Sequence, residues 1–196
     1  MQREESVKDG VLPIFNTLVF EIKKQRKKFY FFFLITILVV LLISYFLVLI
    51  PSNLLADTYV DFFSTGLMFI EFITLFAACL FFSGIICSEF DKRTGFIVFP
   101  KINKYKLILG KYLGNLILVV SIVAIYYFLL ALFGILYYGP MINIRIFYSF
   151  GFAVLYVIML SSFVTLFSSF MRNVNITIIT TSVSYTHLTL PTTPYV

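Results

Sequence analysis

Residues 29–50 read FYFFFLITILVVLLISYFLVLI and contain no charged side chain. A helix needs about 20 consecutive apolar residues to cross a hydrocarbon core roughly 30 Å thick, so this run is long enough for one crossing. Runs of similar length occupy residues 62–87, 113–138 and 147–170. Because backbone groups in lipid must form hydrogen bonds within their own segment, helices are expected rather than open strands. The sequence therefore predicts an all-α membrane protein with four complete transmembrane helices.

The composition and the placement of charge agree with this class. Of the 196 residues, 61% are hydrophobic and 12% are charged, whereas soluble domains carry about half apolar and about a quarter charged residues. The net charge of +6 does not indicate a nucleic-acid partner, because the basic residues lie beside the apolar runs. All Lys and Arg residues except Arg145 lie before the first run, between the second and third, or after the fourth. The positive-inside rule therefore predicts a cytoplasmic N-terminus.

The N-terminal 28 residues are predicted to lie in the cytoplasm and to include an interfacial helix. Apolar residues recur at helical spacing over 11–22 and form one stripe. The basic residues that follow suit the anionic headgroups of the cytoplasmic leaflet. We expect an amphipathic helix that lies on the membrane before the first span, and the alternative is a helix that packs on a partner protein. The basic residues are Lys23, Lys24, Arg26, Lys27 and Lys28.

The end of the chain changes character from Val183 onward, where Thr and Pro accumulate around the single histidine, His187. Residues 183–196 resemble a translated sequencing adapter, and we expect them to be non-native; the alternative is a genuine polar tail. The fifth apolar segment would then run from Val174 to about Ser182, roughly nine residues and less than half of a span. Residues 29–182 are thus expected to form an incomplete transmembrane domain with a truncated fifth helix, and His187 carries no functional hypothesis.

The segment between the second and third runs is the most specific part of the sequence. Residues 88–111, here called the coupling segment, read SEFDKRTGFIVFPKINKYKLILGK. They resemble the cytoplasmic signature of ABC-2 type permeases, which has an acidic residue, a Gly/Thr turn, an apolar stretch, a Pro, a basic position and a Gly-Lys pair. The usual Pro would align one position later, with Lys101. The positions that correspond are Glu89, Thr94, Gly95, Phe96, Phe99, Pro100, Lys104, Gly110 and Lys111.

The resemblance implies the permease subunit of an ABC-type exporter in the cell membrane. It also implies a separate ATP-binding cassette ATPase as partner, a second permease copy of the same or a different chain, and no cofactor. The coupling segment would transmit closure of the ATPase to the spans. Its chemistry independently predicts a docking surface, because four consecutive apolar residues, 96–99, stand among cations in a short loop. The alternative is a loop that dips into the lipid headgroups.

Glu71 is the one carboxylate well inside an apolar run. An ionisable group at such depth is costly unless it is paired or hydrated, so Glu71 is a candidate for the transport path. The alternative begins the second span near Phe72 and leaves Glu71 at the outer interface. Other features of the spans predict packing. Cys79 and Cys87 are expected to be core residues without a disulfide, and small residues are expected to allow close helix contacts at Ser83, Gly84, Gly110 and Gly114.

The sequence contains no phosphate-binding glycine loop, metal-ligand cluster, or nucleophile with a base partner. ATP must therefore bind to another subunit if the chain is a permease, and the chain itself is not expected to be an enzyme. Two other classes stay open. An intramembrane enzyme would need acid and base groups on facing spans, and Glu71 has no evident partner. A membrane assembly protein without transport would be favoured if the neighbouring genes encoded no cassette ATPase.

The charge asymmetry predicts that Lys104 lies in the cytoplasm. In a background with Cys79 and Cys87 replaced by alanine, a Lys104→Cys variant should react with a membrane-impermeant maleimide only after permeabilisation. A Ser52→Cys variant, in the predicted external loop 51–61, should react in intact cells. Labelling of Lys104→Cys in intact cells would reverse the orientation.

Overall fold

A computed structural model describes residues 2–49, 59–91, 103–139, 145–171 and 173–189 of the chain. Six helices account for nearly all of these residues, and no strand occurs among them, so the predicted all-α class is confirmed. The helices are α1 (Gln2–Leu49), α2 (Tyr59–Phe82), α3 (Gly84–Asp91), α4 (Lys104–Tyr138), α5 (Arg145–Phe170) and α6 (Val174–Thr189).

Four stretches of helix are long and apolar enough to cross a membrane. They correspond to the four apolar runs of the sequence. Their bounds are Pro13–Tyr45 in α1, Phe62–Cys87 across α2 and α3, Lys104–Tyr137 in α4 and Ile146–Phe170 in α5. The fifth segment forms α6, which has 16 residues and continues past Ser182 to Thr189. This length is below the roughly 20 residues that a crossing needs.

The amphipathic stretch 11–22 is not a separate helix, in contrast to the expectation of an interfacial helix before the first span. It belongs to α1, a single helix of 48 residues. The residues that connect it to the first apolar run, Lys23 to Lys28, include neither Gly nor Pro, and Lys, Gln and Arg are good helix formers, so nothing breaks the helix. Its inner face lies against α4.

The contact between α1 and α4 is the most extensive contact between helices in the described part of the chain. A Cβ atom added to Gly110 would overlap Thr17 Oγ1 and would lie 2.9 Å from the carbonyl oxygen of Ile14. A Cβ atom on Gly114 would lie 3.2 Å from the carbonyl oxygen of Leu18. Both glycines therefore allow close approach of the two backbones, as the small-residue pattern predicted.

The contacts between helices fix their relative directions. α1 runs parallel to α4, because Thr17 lies beside Gly110 while Tyr45 and Tyr137 line one groove further along both helices. α2 runs antiparallel to α4, since α2 residue Phe81 is bonded to Asn115 and α2 residue Gly66 to Tyr126. α5 is also antiparallel to α4, with Tyr112 beside Ser161 and Tyr127 beside Ser149. One end of the bundle, here called the basic end, thus holds the start of α4 and the ends of α3 and α5.

The core lies where α1, α2, α4 and α5 meet. Large side chains from all four helices are fully or almost fully buried there, and they form one cluster. Cys79 and Cys87 are both buried, as predicted for core residues. The largest contributors are Val40, Phe62, Phe81, Phe82, Val119, Ile122, Tyr126, Leu130, Val157 and Val164.

Replacement of Gly110 by alanine is expected to destabilise the bundle, because the added methyl group meets Thr17 and the backbone of α1. Overpacking of this kind costs about 1–3 kcal/mol. The thermal midpoint of the protein in detergent should fall. Gly151→Ala is the matched control, since a Cβ atom there meets nothing within 4 Å and alanine favours helix. An equal midpoint for Gly110→Ala and Gly151→Ala would contradict the close packing of α1 on α4.

Candidate functional site

The second span is interrupted at Ser83, which forms a turn between α2 and α3. Gly84 follows directly, and glycine costs about 1 kcal/mol relative to alanine inside a helix, so the sequence weakens the helix at this point. Residues 80–87, here called the helix joint, connect α2 to α3. α3 in turn begins the coupling segment, because it includes Glu89 and ends at Asp91.

Three carbonyl oxygens of the helix joint accept hydrogen bonds from side chains of three other helices. Lys28 Nζ of α1 donates to the Leu80 carbonyl at 3.2 Å. Asn115 Nδ2 of α4 donates to the Phe81 carbonyl at 3.0 Å, and Ser168 Oγ of α5 donates to the Ser83 carbonyl at 2.7 Å. Broken helices occur at membrane depth only where neighbouring groups satisfy the backbone. The helix joint therefore meets this requirement and is attached to the three other long helices at once.

Ser168 also stabilises the start of α3. Its Oγ atom accepts hydrogen bonds from the backbone N–H groups of Ile86 at 3.4 Å and Cys87 at 3.3 Å. A hydroxyl group has one donor and two acceptor positions, so Ser168 uses all of them at the helix joint. Two buried oxygens nearby, Ser83 Oγ and Asn115 Oδ1, have no hydrogen-bond partner.

Further polar contacts lie at the same level of the bundle. Tyr112 of α4 shares hydrogen bonds with Ser161 at 2.8 Å and Ser162 at 3.3 Å on α5. Glu21 of α1 is buried with 3% of its surface exposed, and it bonds Lys24 at 3.3 Å and Gln25 at 3.1 Å. The Tyr112 bonds therefore connect α4 to α5 in the basic half of the bundle, whereas the Glu21 bonds lie within α1.

The structure describes only part of the coupling segment. Thr94, Gly95, Phe96, Phe99 and Pro100 lie outside the described residues, and so does the side chain of Glu89. Their predicted role in docking stays a prediction. The remaining predicted residues, Lys104, Gly110 and Lys111, belong to α4.

Lys104 begins α4 and is exposed, as its predicted contact with a partner requires. The helix start is stabilised by Asn103, whose side chain accepts a hydrogen bond from the Tyr105 N–H at 3.1 Å. Tyr105 is 76% exposed and lines an open cleft of about 380 Å³ between α4 and α5 with Leu109 and Thr165. The part of the coupling segment that lies in α4 thus presents exposed aromatic and aliphatic side chains at the basic end.

Gly110 and Lys111 are buried in α4. Gly110 packs against α1, and Lys111 is 7% exposed. In this arrangement the two residues belong to the interior of the bundle. They can affect coupling through the position of α4, whereas Lys104 can contact a partner directly.

Glu71 lies within α2, which begins twelve residues earlier at Tyr59 and continues without a break to Phe82. Ten residues of helix separate Glu71 from Phe81, a distance of about 15 Å along the axis. Phe81 packs on Phe32 near the start of the first apolar run, with ring centroids 5.7 Å apart. Glu71 therefore lies about 15 Å along α2 from that level, inside the candidate span Phe62–Cys87.

The Glu71 side chain is exposed on the surface of the described bundle. It lies close enough to Tyr156 of α5 for an electrostatic interaction. In the described part of the chain, the ion pair is Lys24 with Glu21, and Glu71 takes no part in it. An unpaired charge at the bilayer centre costs about 2.5–3.5 kcal/mol on insertion scales. The position therefore requires a partner, protonation or water.

The sequence did not single out Lys28, Asn115 or Ser168 as members of one site. A signal for Asn115 existed, because amide side chains inside transmembrane runs usually face other helices and form hydrogen bonds. Its partner could not be identified, since Phe81 lies on another helix 34 residues away. Comparisons with protein-family models, curated proteins and solved structures found no match to the chain.

Replacement of Ser168 by alanine is expected to loosen the helix joint. It removes the donor to the Ser83 carbonyl and the acceptor for two N–H groups of α3, and unpaired buried groups cost about 1–3 kcal/mol. The thermal midpoint should fall, and amide exchange measured by mass spectrometry should accelerate in 84–91. The control is Ser169→Ala, because the exposed Ser169 bonds to Leu166 of its own helix. Unchanged exchange in Ser168→Ala would show that Ser168 does not hold the joint.

Proposed function

We propose that the chain is the transmembrane permease subunit of an ABC-type exporter. In this proposal the chain spans the cell membrane several times with its N-terminus in the cytoplasm. A separate ATP-binding cassette ATPase supplies the energy, and a second permease copy completes the translocation unit. The amphipathic part of α1 lies at the cytoplasmic side of the first span, and the segment at Val174 belongs to a fifth span.

The observation that carries the proposal is the sequence of the coupling segment. It joins an acidic residue, a Thr-Gly turn, an apolar stretch and Pro100 to a basic helix start within 24 residues. The resemblance to ABC-2 type permeases rests on this pattern. A loop of this chemistry has a physical reason to bind a protein, because contiguous exposed apolar side chains usually mark a contact.

The helix joint supports the same function, because it gives the coupling segment a mechanical connection to the spans. A displacement of α3 by a partner would act on Lys28, Asn115 and Ser168, and thus on α1, α4 and α5. Transporters of several folds move by rocking of helix bundles around a central site. A permease needs such a connection, whereas a membrane protein with a purely structural role does not.

The arrangement of charge supports a cytoplasmic basic end. α1 and α4 are parallel, so their basic segments, Lys23 to Lys28 and Lys104 to Lys111, lie toward the same end of the bundle. The positive-inside rule assigns this end to the cytoplasm, where ATP is available. The part of the coupling segment that connects α3 to α4 would then be on the cytoplasmic side, where the proposed ATPase binds.

Replacement of Phe96 and Phe99 together by aspartate should abolish binding of the cassette ATPase encoded beside this gene. Burial of a neutral polar group without a partner costs roughly 2–7 kcal/mol, and burial of an unpaired carboxylate costs more. Co-purification of the full-length permease with the ATPase, and the ATPase rate of the complex, should both fall to background.

The matched control replaces both residues by leucine, which keeps an apolar surface and should retain the ATPase. Insertion of both variants is checked by membrane fractionation and size-exclusion chromatography. Normal ATPase binding by the aspartate variant would favour the lipid-dipping alternative for the loop. A gene neighbourhood without a cassette ATPase would favour a membrane assembly protein.

A further inference from the structure

Glu71 is the single Asp, Glu, Lys or Arg residue in the stretches 29–49, 62–82, 112–137 and 146–170, and the side chains around it favour one kind of neutralising group. These stretches contain no Lys or Arg. A second copy of these spans could therefore not supply an opposite charge at this depth. Glu71 is nevertheless exposed on the bundle surface, where a molecule from outside the chain can reach it.

An inorganic cation is a poor match for this position. Such ions require several oxygen ligands, usually six to eight for Ca²⁺ and six for Mg²⁺. In the part of the chain that the structure describes, no group of three or more His, Cys, Asp or Glu side chains could hold a metal ion. One carboxylate and the nearby Tyr156 are too few ligands.

The side chains around Glu71 are instead suited to an organic cation. Met68, one turn before Glu71, is 70% exposed, and the neighbouring Phe72 is 63% exposed. They form a stripe on one face of α2 with the exposed Phe76, since positions 68, 72 and 76 are each four residues apart. Aromatic faces attract cations through the ring quadrupole, and thioether and phenyl groups cover apolar substituents.

We propose that Glu71, Phe72 and the exposed face of α2 bind a hydrophobic organic cation within the membrane. The carboxylate supplies the counter-charge, Phe72 supplies aromatic contact, and Met68 and Phe76 contact the apolar part. This site deepens the proposed function and rests on it, since it identifies the substrate class of the permease. The substrate class consists of amphipathic amines and quaternary cations.

Binding of radiolabelled tetraphenylphosphonium to the purified chain in lipid nanodiscs tests the site. Glu71→Gln keeps the shape of the side chain and should weaken binding by at least about tenfold, because the counter-charge is lost in a medium of low dielectric constant. Phe72→Leu should weaken binding about threefold through loss of the cation–π contact. Glu21→Gln is the matched control, since it makes the same change in net charge on α1 and should bind like the wild type.

Tetraphenylborate, an anion of the same shape, distinguishes a site from partition into lipid. The wild type should bind it no better than Glu71→Gln does. Equal binding of tetraphenylphosphonium by the wild type and Glu71→Gln, with equal elution profiles, would overturn the site. A Glu71→Gln variant with altered dimer content and unaltered cation binding would also overturn the site, because Glu71 would then contact a second copy of the chain.

The experiment separates this site from the proposed function, because the binding assay contains no ATPase. Binding that depends on Glu71, with no association of the full-length chain with a cassette ATPase, would contradict the permease alone. Association with the ATPase, together with cation binding that does not depend on Glu71, would contradict the cation site alone.

Discussion

Side chains of three other helices donate hydrogen bonds to backbone carbonyl groups of the helix joint. A chain that interrupts an apolar span exposes polar backbone groups that lipid cannot satisfy. Here Lys28, Asn115 and Ser168 satisfy the carbonyls of Leu80, Phe81 and Ser83. Each donor belongs to a different helix, so the interruption also fixes α1, α4 and α5 relative to α2. The close contact of Gly110 and Gly114 with α1 brings the first of these helices near enough to take part.

The position of the helix joint connects two regions that the sequence presents separately. On one side it leads through α3 into the coupling segment, and on the other it continues as α2 toward Glu71. The uninterrupted helix between Phe81 and Glu71 is about 15 Å long and would carry a displacement with little bending. In the proposed permease, a movement imposed by the ATPase at the basic end would thus reach the Glu71 carboxylate.

The sequence was sufficient for the features that depend on lipid as a solvent. The run 29–50 predicted a spanning helix because an apolar segment of this length has few other stable environments, and the glycines at 110 and 114 predicted close packing. The sequence was insufficient for features that depend on contacts between helices. The pattern over 11–22 is the same for a helix on a membrane surface and for one that packs on α4. The partners of Asn115 and Ser168 lie on other helices, so no local pattern identifies them.

In the proposed permease, the helix joint would make each copy of the chain move as one body when ATP acts on the partner ATPase. Electron spin resonance can measure distances in the complex of the full-length chain with its ATPase, with labels at Phe76→Cys of α2 and Met159→Cys of α5, both exposed. Cys79 and Cys87 are replaced, and doubly labelled copies are diluted with unlabelled ones. We expect the distance within one copy to stay constant on trapping with ADP and vanadate, while the distance between two copies labelled at Phe76→Cys changes. A change within one copy and a constant distance between copies would contradict this proposal.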